Sequence, residues 1–298
     1  MNYLISVISY LFKTKILRQK IPLIAGLVVG ESCNLSCKHC NVSSKSEEKD
    51  LSFKEIKSGL NLLYNKGIRL LAITGGEPFF WKDKNFTIED ITRYARKSGY
   101  KIISIYTNGT QTLDSTADNL FVSIDGLKES SNKLRGNIYD TVINNINNSN
   151  HPSIIINCTI NSKNRNEIEK VCEYISTISN IKGIFFYFHT PYFGIDDLFL
   201  PFKERQKIIN EIIELKKKYK ILNSTACLRD VYYNRWERPT ELCLVYANNK
   251  VFKCCRSVGN PEVCKDCGYL GYPEIINISK LKPSAIWSAL SYLPKKKT

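Results

Sequence analysis

The sequence lacks several features that would define common classes of protein. It has no run of about 20 consecutive apolar residues, which excludes an integral membrane protein built on such spans. We find no internal repeat, no low-complexity linker, and no helix-turn-helix, zinc-finger or RNP-like pattern. The 298 residues include 43% hydrophobic ones, so the chain is not disordered and can bury a full core. This length fits one large α/β domain or two small ones.

Acidic residues are in short supply, and 43 basic against 28 acidic side chains give a formal net charge of +15. Such a charge suits a nucleic acid, an anionic membrane or an acidic substrate as partner. The basic runs are short, however, and lie at residues 216–218 and 295–297. A coding bias toward lysine would give the same charge, and without a nucleic-acid-binding motif we expect no nucleic-acid partner.

The N-terminal segment has an apolar stretch at residues 3–12, followed by four basic residues within residues 13–20. A secretory signal peptide has the opposite order and a cleavage site of small residues, so we do not interpret the segment as one. Ten residues are too few to cross a bilayer. Two alternatives stay open, a helix lying on an anionic membrane surface and a helix packed on the protein's own core. The expected location is cytoplasmic, with peripheral membrane association as the open alternative.

Short β-rich runs alternate with helical patterns from residue 27 onward. Six strands are predicted, at residues 27–29, 69–74, 101–106, 120–124, 153–160 and 183–189. Helices are predicted after all of them except the third, at residues 53–66, 88–97, 129–147, 164–178 and 203–218. This alternation favours a parallel sheet with right-handed crossovers, either a doubly wound sheet or a barrel. In a barrel, the functional groups would stand at the carboxyl ends of the strands.

The eleven cysteines are unevenly distributed, and eight of them form two groups. An odd total at metal-ligand spacings does not suit a secreted disulfide framework and favours a reduced, metal-binding protein. The first group, Cys33, Cys37 and Cys40, has the spacing C-x3-C-x2-C just after the first predicted strand. Three close thiolates suit a 4Fe–4S cluster with one open iron. Zinc would need a fourth ligand, which His39 is poorly placed to supply.

This cysteine spacing resembles the signature of radical S-adenosylmethionine (SAM) enzymes. Three further motifs occur at predicted strand ends in the order that this family has. They are Gly75-Gly76-Glu77-Pro78, which resembles the family's GGEP motif, then Thr107-Asn108-Gly109, and then Ser123-Ile124-Asp125-Gly126. Each fragment alone is ordinary turn sequence, but their order and places are not. The resemblance covers roughly residues 23–200.

The resemblance implies a partial (β/α)6 barrel of the TIM type. It also implies that Cys33, Cys37 and Cys40 hold a 4Fe–4S cluster that, once reduced by one electron, cleaves SAM to methionine and a 5′-deoxyadenosyl radical. A flavodoxin- or ferredoxin-type protein would donate the electron. The glycine pair would let the backbone approach a ligand, and polar groups beside it would receive the methionine ammonium. The implied cofactor-binding residues are Gly75, Gly76, Glu77, Pro78, Thr107, Asn108, Ser123 and Asp125.

The second cysteine group includes the knuckle Cys264-Lys265-Asp266-Cys267. It resembles a shortened form of the C-terminal SPASM or twitch regions that hold auxiliary clusters. Our hypothesis is four ligands, namely Cys243, either Cys254 or Cys255, Cys264 and Cys267. A second 4Fe–4S cluster, structural zinc and unliganded buried thiols all stay open. Of the remaining cysteines, Cys158 and Cys172 are expected in the core, and Cys227 is unassigned.

The chain is accordingly divided into an apolar and basic segment at residues 1–22, a barrel core at residues 23–220, and a loop-rich, cysteine-rich C-terminal extension at residues 221–298. The sixth strand ends in an aromatic stretch where Tyr187, His189 and Tyr192 are candidates for shaping the substrate site. His189 is the candidate catalytic residue, as proton donor or orienting group.

The expected function is radical modification of a small molecule or lipid. Residues 191–198, together with Asn223-Ser224, loosely resemble radical SAM enzymes that act on isoprenoid lipids. Two alternatives stay open, a peptide- or protein-modifying radical SAM enzyme and a non-catalytic iron–sulfur protein. A carrier would not need the three strand-end motifs, which argues against the last of these.

Overall fold

The structure is a computed structural model that describes residues 8–40, 49–255 and 259–293. The beginning of the predicted N-terminal apolar stretch and the basic run at residues 295–297 lie outside the described residues. Tyr10 anchors the segment that is described, because its hydroxyl donates to the carbonyl of Ile21 at 3.1 Å. The side chains of Phe12 and Ile16, in a π-helical turn (Phe12–Ile16), are more than half exposed.

Eight strands form one sheet in the described part of the chain. They are β1 (Ile24–Val28), β2 (Leu70–Thr74), β3 (Ile102–Thr107), β4 (Asn119–Ser123), β5 (Ile154–Ile160), β6 (Ile181–Phe188), β7 (Cys243–Ala247) and β8 (Lys250–Lys253). Their spatial order is β6-β5-β4-β3-β2-β1-β7-β8, and only the β7–β8 pair is antiparallel. The first six strands follow chain order side by side, which confirms the predicted partial barrel and all six predicted strands.

Ten α-helices accompany the sheet within the described residues. They are α1 (Phe53–Asn65), α2 (Ile88–Ser98), α3 (Lys128–Arg135), α4 (Tyr139–Asn147), α5 (Ile168–Ser176), α6 (Phe202–Leu215), α7 (Thr225–Tyr232), α8 (Pro261–Lys265), α9 (Gly271–Ser279) and α10 (Pro283–Leu290). The predicted helix at residues 129–147 is two helices, α3 and α4. Gly136 separates them with φ 89°, a left-handed conformation that continues no α-helix.

The first helix shows how local sequence positions an element of the core. Ser52 and Glu55 form a capping box, in which the backbone N–H of Ser52 donates to Glu55 Oε2 at 2.8 Å. Ile56, Leu60 and Leu63 follow at helical spacing and are fully buried, so one face of α1 packs on the sheet.

The C-terminal region is not the loop-rich extension that the sequence predicts. Strand β7 pairs in parallel with β1, from Ile24 beside Cys243 onward, so the region extends the barrel wall. Helices α7, α9 and α10 pack against one another, and Tyr292, which follows α10, reaches the barrel. There the amide of Asn119 donates to the carbonyl of Tyr292 at 3.0 Å, and the Phe121 and Tyr292 rings stack with centroids 6.0 Å apart. Length explains the error, because a five-residue strand that begins with a cysteine gives little alternation to detect.

None of the helices in the described part of the chain combines the length and the apolar character that a bilayer crossing requires.

Candidate active site

A cavity of about 1510 Å³ lies inside the barrel in the described part of the chain. The three thiols of the first cysteine group all line it. Five of the eight predicted cofactor-binding residues line it as well, namely Gly75, Gly76, Thr107, Asn108 and Ser123. Motifs that are up to 90 residues apart in the sequence therefore meet around one space at the carboxyl ends of the strands, where parallel barrels carry their functional groups.

Besides the predicted approach to a ligand, Gly75 and Gly76 allow a close contact between two backbone segments. The N–H of Gly76 donates to the carbonyl of Gly30 at 2.9 Å, and the N–H of Glu77 donates to that of Ser32 at the same distance. A Cβ atom on Gly76 would lie 2.2 Å from the Ser32 carbonyl oxygen, which is closer than atoms can pack. The pair therefore lets the end of β2 press against the backbone that leads into the cysteine loop.

Glu77 joins two motifs to each other. Its carboxylate accepts hydrogen bonds from the N–H of Asn108 at 2.6 Å, the hydroxyl of Thr107 at 2.8 Å and the N–H of Phe79 at 3.0 Å. Burial raises the pKa of Glu77, while these hydrogen bonds act to lower it. The side chain is only 1% exposed, so in this structure it ties the ends of β2 and β3 together.

Asn108 in turn contacts the cysteine loop. Its amide nitrogen lies 3.8 Å from the sulfur of Cys33 and donates to the side-chain carbonyl of Asn34 at 2.9 Å. Its own carbonyl oxygen accepts from the hydroxyl of Thr110 at 2.7 Å. These bonds fix which way the amide group points, so that Asn108 presents N–H groups to the first thiol.

Asp125 lies in a buried ion cluster with Arg135 and His39. Its Oδ2 atom is 2.6 Å from Arg135 Nε and 3.1 Å from His39 Nε2, and Oδ1 accepts from the Thr159 N–H at 2.6 Å. Burial alone would raise the pKa of Asp125, but the neighbouring Arg135 guanidinium and His39 hold it well below its usual value. Asp125 is fully buried.

The Arg135 guanidinium connects Asp125 to the cysteine loop. Its Nη1 atom lies 3.9 Å from the sulfur of Cys37 and Nη2 lies 3.3 Å from His39 Nε2. The loop is also tied to the end of α3, because the N–H of Lys38 donates to the Leu134 carbonyl at 3.0 Å. The sequence analysis does not identify Arg135 as a site residue. It lies within one long predicted helix, and no motif connects it with a loop almost 100 residues earlier.

These surroundings fit a cluster held by Cys33, Cys37 and Cys40. The donor set is three soft thiols, and an amide and a guanidinium lie within 4 Å of two of the sulfurs, where they would stabilise anionic thiolates. Burial raises the pKa of Cys37 to about 11, so a bound metal has to displace the thiol proton. No three His, Cys, Asp or Glu side chains among the described residues are grouped closely enough to hold a single metal ion.

His189 lines the same cavity and is 4% exposed. Its Nε2 atom lies 2.9 Å from Asp196 Oδ2, and its carbonyl accepts from Arg205 Nη2 at 3.0 Å. Burial lowers the pKa of His189, and the Asp196 carboxylate acts in the opposite direction. The imidazole is thus held in a fixed orientation, and its catalytic role stays a prediction.

Aromatic side chains form one wall of the cavity. The hydroxyls of Tyr106 and Tyr187 lie 3.3 Å apart, and the Tyr187 ring lies 4.8 Å from that of Tyr269 between centroids. The Tyr106 ring stacks on Phe121 at 4.5 Å. Tyr269 belongs to the C-terminal region, so the wall combines core and extension. Tyr192, another candidate of the sequence analysis, lines the cavity too.

The second cysteine group is brought together by the β7–β8 hairpin and α8. The N–H of Cys254 donates to the Cys243 carbonyl at 2.7 Å, and both thiols are buried against Tyr272. Cys255, Cys264 and Cys267 lie beside them, and a small cavity is lined by Cys254, Cys255, Cys264 and Cys267 together with Arg238. The structure thus juxtaposes all five thiols, and whether they bind a metal stays a prediction.

Glu274 is a lining residue that the sequence analysis missed. It sits on α9 in the C-terminal region, is 6% exposed, and accepts a hydrogen bond from the Ser224 N–H through Oε1. Its Oε2 atom has no hydrogen-bond partner among the described residues. Burial raises the pKa of Glu274 from 4.5 to about 7, against hydrogen bonds from Ser224 and Cys227 and the nearby Lys216 ammonium, which act to lower it.

This raised pKa predicts a specific dependence of stability on pH. The folded state holds the Glu274 proton more tightly than the unfolded chain, so its stabilising contribution is present below pH 4.5 and is lost as the pH rises through about 7. Glutamine does not ionise, so Glu274→Gln has no such loss. We expect the free energy of unfolding of the variant, relative to that of the wild type, to increase by about 2 kcal/mol from pH 5.5 to pH 8. Anaerobic urea unfolding at several pH values measures the difference, and parallel curves for the two proteins would contradict it.

The family model described as the Radical SAM superfamily matches residues 27–175. Fe-coproporphyrin III synthase from Methanosarcina barkeri (strain Fusaro / DSM 804) is 29% identical over 199 residues, covering 62% of this chain and 46% of the relative. Molybdenum cofactor biosynthesis protein 1 from Dictyostelium discoideum is 30% identical over 211 residues, covering 64% of this chain and 33% of the relative. The chain thus spans less than half of the length of these two relatives.

A solved structure extends the likeness to the C-terminal region. The crystal structure of Streptococcus suis SuiB bound to precursor peptide SuiA has a TM-score of 0.65 and 13% sequence identity. The match covers 90% of this chain and 67% of SuiB. At this level of identity the likeness concerns the fold alone.

Proposed function

The chain belongs to the radical SAM superfamily, and we propose that it modifies a large, mainly apolar molecule held in the barrel cavity. As a member of this family it is an enzyme that uses a 4Fe–4S cluster and SAM. Bound and reduced, these supply a 5′-deoxyadenosyl radical that takes a hydrogen atom from the substrate or adds to an unsaturated carbon. The tasks of the chain are to position both molecules and to exclude water.

The observation that carries the proposal is the cavity. Its volume of about 1510 Å³ exceeds the range of about 300–1,000 Å³ usual for small-molecule sites, which leaves room for a substrate beside SAM. The three thiols line it, and so does the aromatic wall of Tyr106, Phe121, Tyr187 and Tyr269. A wall of this kind favours an apolar or ring-bearing substrate and keeps water from a reactive radical.

We assign the cofactor residues to two roles. Gly75, Gly76, Thr107, Asn108 and Ser123 line the cavity and are proposed to contact SAM or the cluster directly. Glu77 and Asp125 are buried behind them with their oxygens engaged, and are proposed to hold the lining residues in place. Pro78 continues the same turn, where the N–H of Trp81 donates to its carbonyl at 3.2 Å.

His189 is proposed to orient the substrate or to transfer a proton to it. Its imidazole lines the cavity with its direction fixed by Asp196. Near neutral pH a histidine accepts a proton as the neutral imidazole and donates one as the imidazolium, so this side chain suits either direction of transfer.

The proposed substrate class can be tested on reconstituted, dithionite-reduced protein incubated anaerobically with SAM. We expect a lipid extract to raise the yield of 5′-deoxyadenosine well above the basal rate and a peptide mixture to leave it unchanged. The reverse result would favour a peptide substrate, the second candidate, which the SPASM-like cysteine group supports. Stimulation by neither mixture would count against a large apolar substrate.

An auxiliary cluster at the second cysteine group is proposed as part of the same enzyme. We expect the triple variant Cys33→Ala/Cys37→Ala/Cys40→Ala, reconstituted anaerobically, to retain about four iron and four sulfide per chain, as a second 4Fe–4S cluster requires. Adding Cys264→Ser and Cys267→Ser should remove them. Iron and sulfide analysis decides the point, and a triple variant without iron would exclude the auxiliary cluster. Zinc in place of iron would show the structural alternative.

A further inference from the structure

The cavity has a second polar site, at Glu274, that the radical chemistry does not use. We propose that Glu274, with Tyr292 beside it, anchors the substrate by accepting a hydrogen bond from an N–H or O–H group. The inference rests on the proposed function and narrows it, because the substrate then is an apolar molecule that carries an amine or hydroxyl group.

The hydrogen-bond count at Glu274 supports this role. One carboxylate oxygen, Oε1, is fixed by the N–H of Ser224, while Oε2 has no partner within the described residues. Nine-tenths of the side chain is buried, and it borders the cavity. A buried oxygen without a donor costs free energy, so proteins retain such atoms mainly where a ligand or water satisfies them.

Three polar groups near Glu274 have hydrogen bonds to backbone carbonyls. Lys216 Nζ donates to the Ile221 carbonyl at 2.7 Å, and the thiol of Cys227 donates to the Leu270 carbonyl at 3.4 Å. The hydroxyl of Ser288 donates to the carbonyl of Leu222. The Ser224 hydroxyl and the Cys227 thiol also interact with the Glu274 carboxylate, but neither is hydrogen-bonded to Oε2, which is free to accept a donor from the cavity within the described part of the chain.

Tyr292 gives the site a second feature. It lines the cavity and interacts electrostatically with Glu274, and its buried hydroxyl, although the Ser288 side chain lies close to it, has no hydrogen bond of normal geometry in the described part of the chain. Its ring is held by stacking on Phe121 and its carbonyl by the amide of Asn119. A fixed acceptor and a fixed hydroxyl facing one space suit a group that both donates and accepts, as an alcohol does, or a donor alone, as an ammonium does.

The position of this site defines how the substrate would lie. Asn119 is the first residue of β4, whereas the cysteine loop follows the carboxyl end of β1. In a parallel sheet these are opposite ends of the barrel. Because the Asn119 contact places Tyr292 at the end away from the thiols, a substrate held between Glu274 and Tyr292 would extend its apolar part along the aromatic wall toward the thiols, so the anchor sets which carbon meets the radical.

Binding of simple alkyl probes tests the inference without any radical chemistry. Decylamine, decanol, decane and decanoate are titrated into the reconstituted protein, where each displaces a fluorescent apolar dye from the cavity. At pH 8.5, above the pKa of about 7 that burial gives Glu274, we expect decylamine and decanol to bind at least tenfold more tightly than decane or decanoate, since a hydrogen bond to a buried charged group gives about this difference. In Glu274→Gln the preference for the amine should fall below threefold, and Tyr292→Phe should weaken decanol more than decylamine.

The control is Glu262→Gln, which removes an exposed carboxylate of the same C-terminal region and should keep the wild-type preference. If the four alkyl probes bind equally well, the anchoring site is overturned, while an apolar substrate stays possible. If no probe displaces the dye, the apolar cavity of the proposed function fails, and the anchor with it. Equal preference in wild type and Glu274→Gln would assign recognition to another residue and overturn the proposal.

Discussion

Replacing Cys33, Cys37 and Cys40 together with alanine should abolish SAM cleavage, with a fall of at least a thousandfold in 5′-deoxyadenosine formation. All three thiols line the cavity, and two of them have nitrogen donors within 4 Å of their sulfur atoms. A cluster with an open iron needs all three ligands, since loss of one breaks the donor set that the family uses. Product formation is measured by chromatography on anaerobically reconstituted, reduced protein.

Cys172→Ala is the matched control. Its thiol is buried on α5 and belongs to neither cysteine group, so the variant should keep its cluster and its activity apart from a modest loss of stability. If the triple variant retained a tenth of the wild-type yield, the assignment of these cysteines as cluster ligands would be wrong.

Asp125→Asn should cause the largest loss of stability among single polar substitutions near the site. The substitution leaves the Arg135 guanidinium buried beside a neutral amide, 2.6 Å from where a charge had balanced it. Removing one partner of a buried pair costs about 3–5 kcal/mol, because the remaining charge has no compensation. For a chain of this size we expect the melting temperature to fall by about 10 °C. Arg135 also holds the loop at Cys37, so the variant should bind iron less completely.

Glu129→Gln on α3 provides the comparison for this effect. Glu129 forms an ion pair with Lys133 at the same distance of 2.6 Å, but both side chains are largely exposed to water. Its loss should leave the melting temperature unchanged within error. Equal thermal shifts for Asp125→Asn and Glu129→Gln would show that burial of the ion cluster contributes nothing, contrary to our account.

The sequence indicated the barrel and the cysteine loop because both depend on local patterns. Runs such as Ile154-Ile155-Ile156 identify buried strands, and the three strand-end motifs identify the edge on which ligands bind. The sequence could not show what each motif residue contacts. Its strand-end motif predicts that Glu77 binds SAM, which stays a prediction, but not that its carboxylate joins the ends of β2 and β3. That contact depends on a tertiary arrangement no spacing rule encodes.

The C-terminal region was hardest to predict for the same reason. Strand β7 is short, and its pairing with β1 joins residues more than 200 positions apart. Glu274 and Tyr292 line the cavity only because α9 and the residues just after α10 pack against the barrel. Arg135 likewise is an ordinary helical arginine until the fold places it beside Cys37. Residues of this kind have no motif, so only a structure can add them to the site.

The most direct test of the central claim is SAM turnover by the wild-type protein. Anaerobically reconstituted and reduced, and supplied with SAM and a lipid extract, it should release 5′-deoxyadenosine and methionine in equal amounts, and the triple cysteine variant should release neither. Protein that binds its 4Fe–4S cluster and SAM in full yet forms no 5′-deoxyadenosine under these conditions would contradict the account.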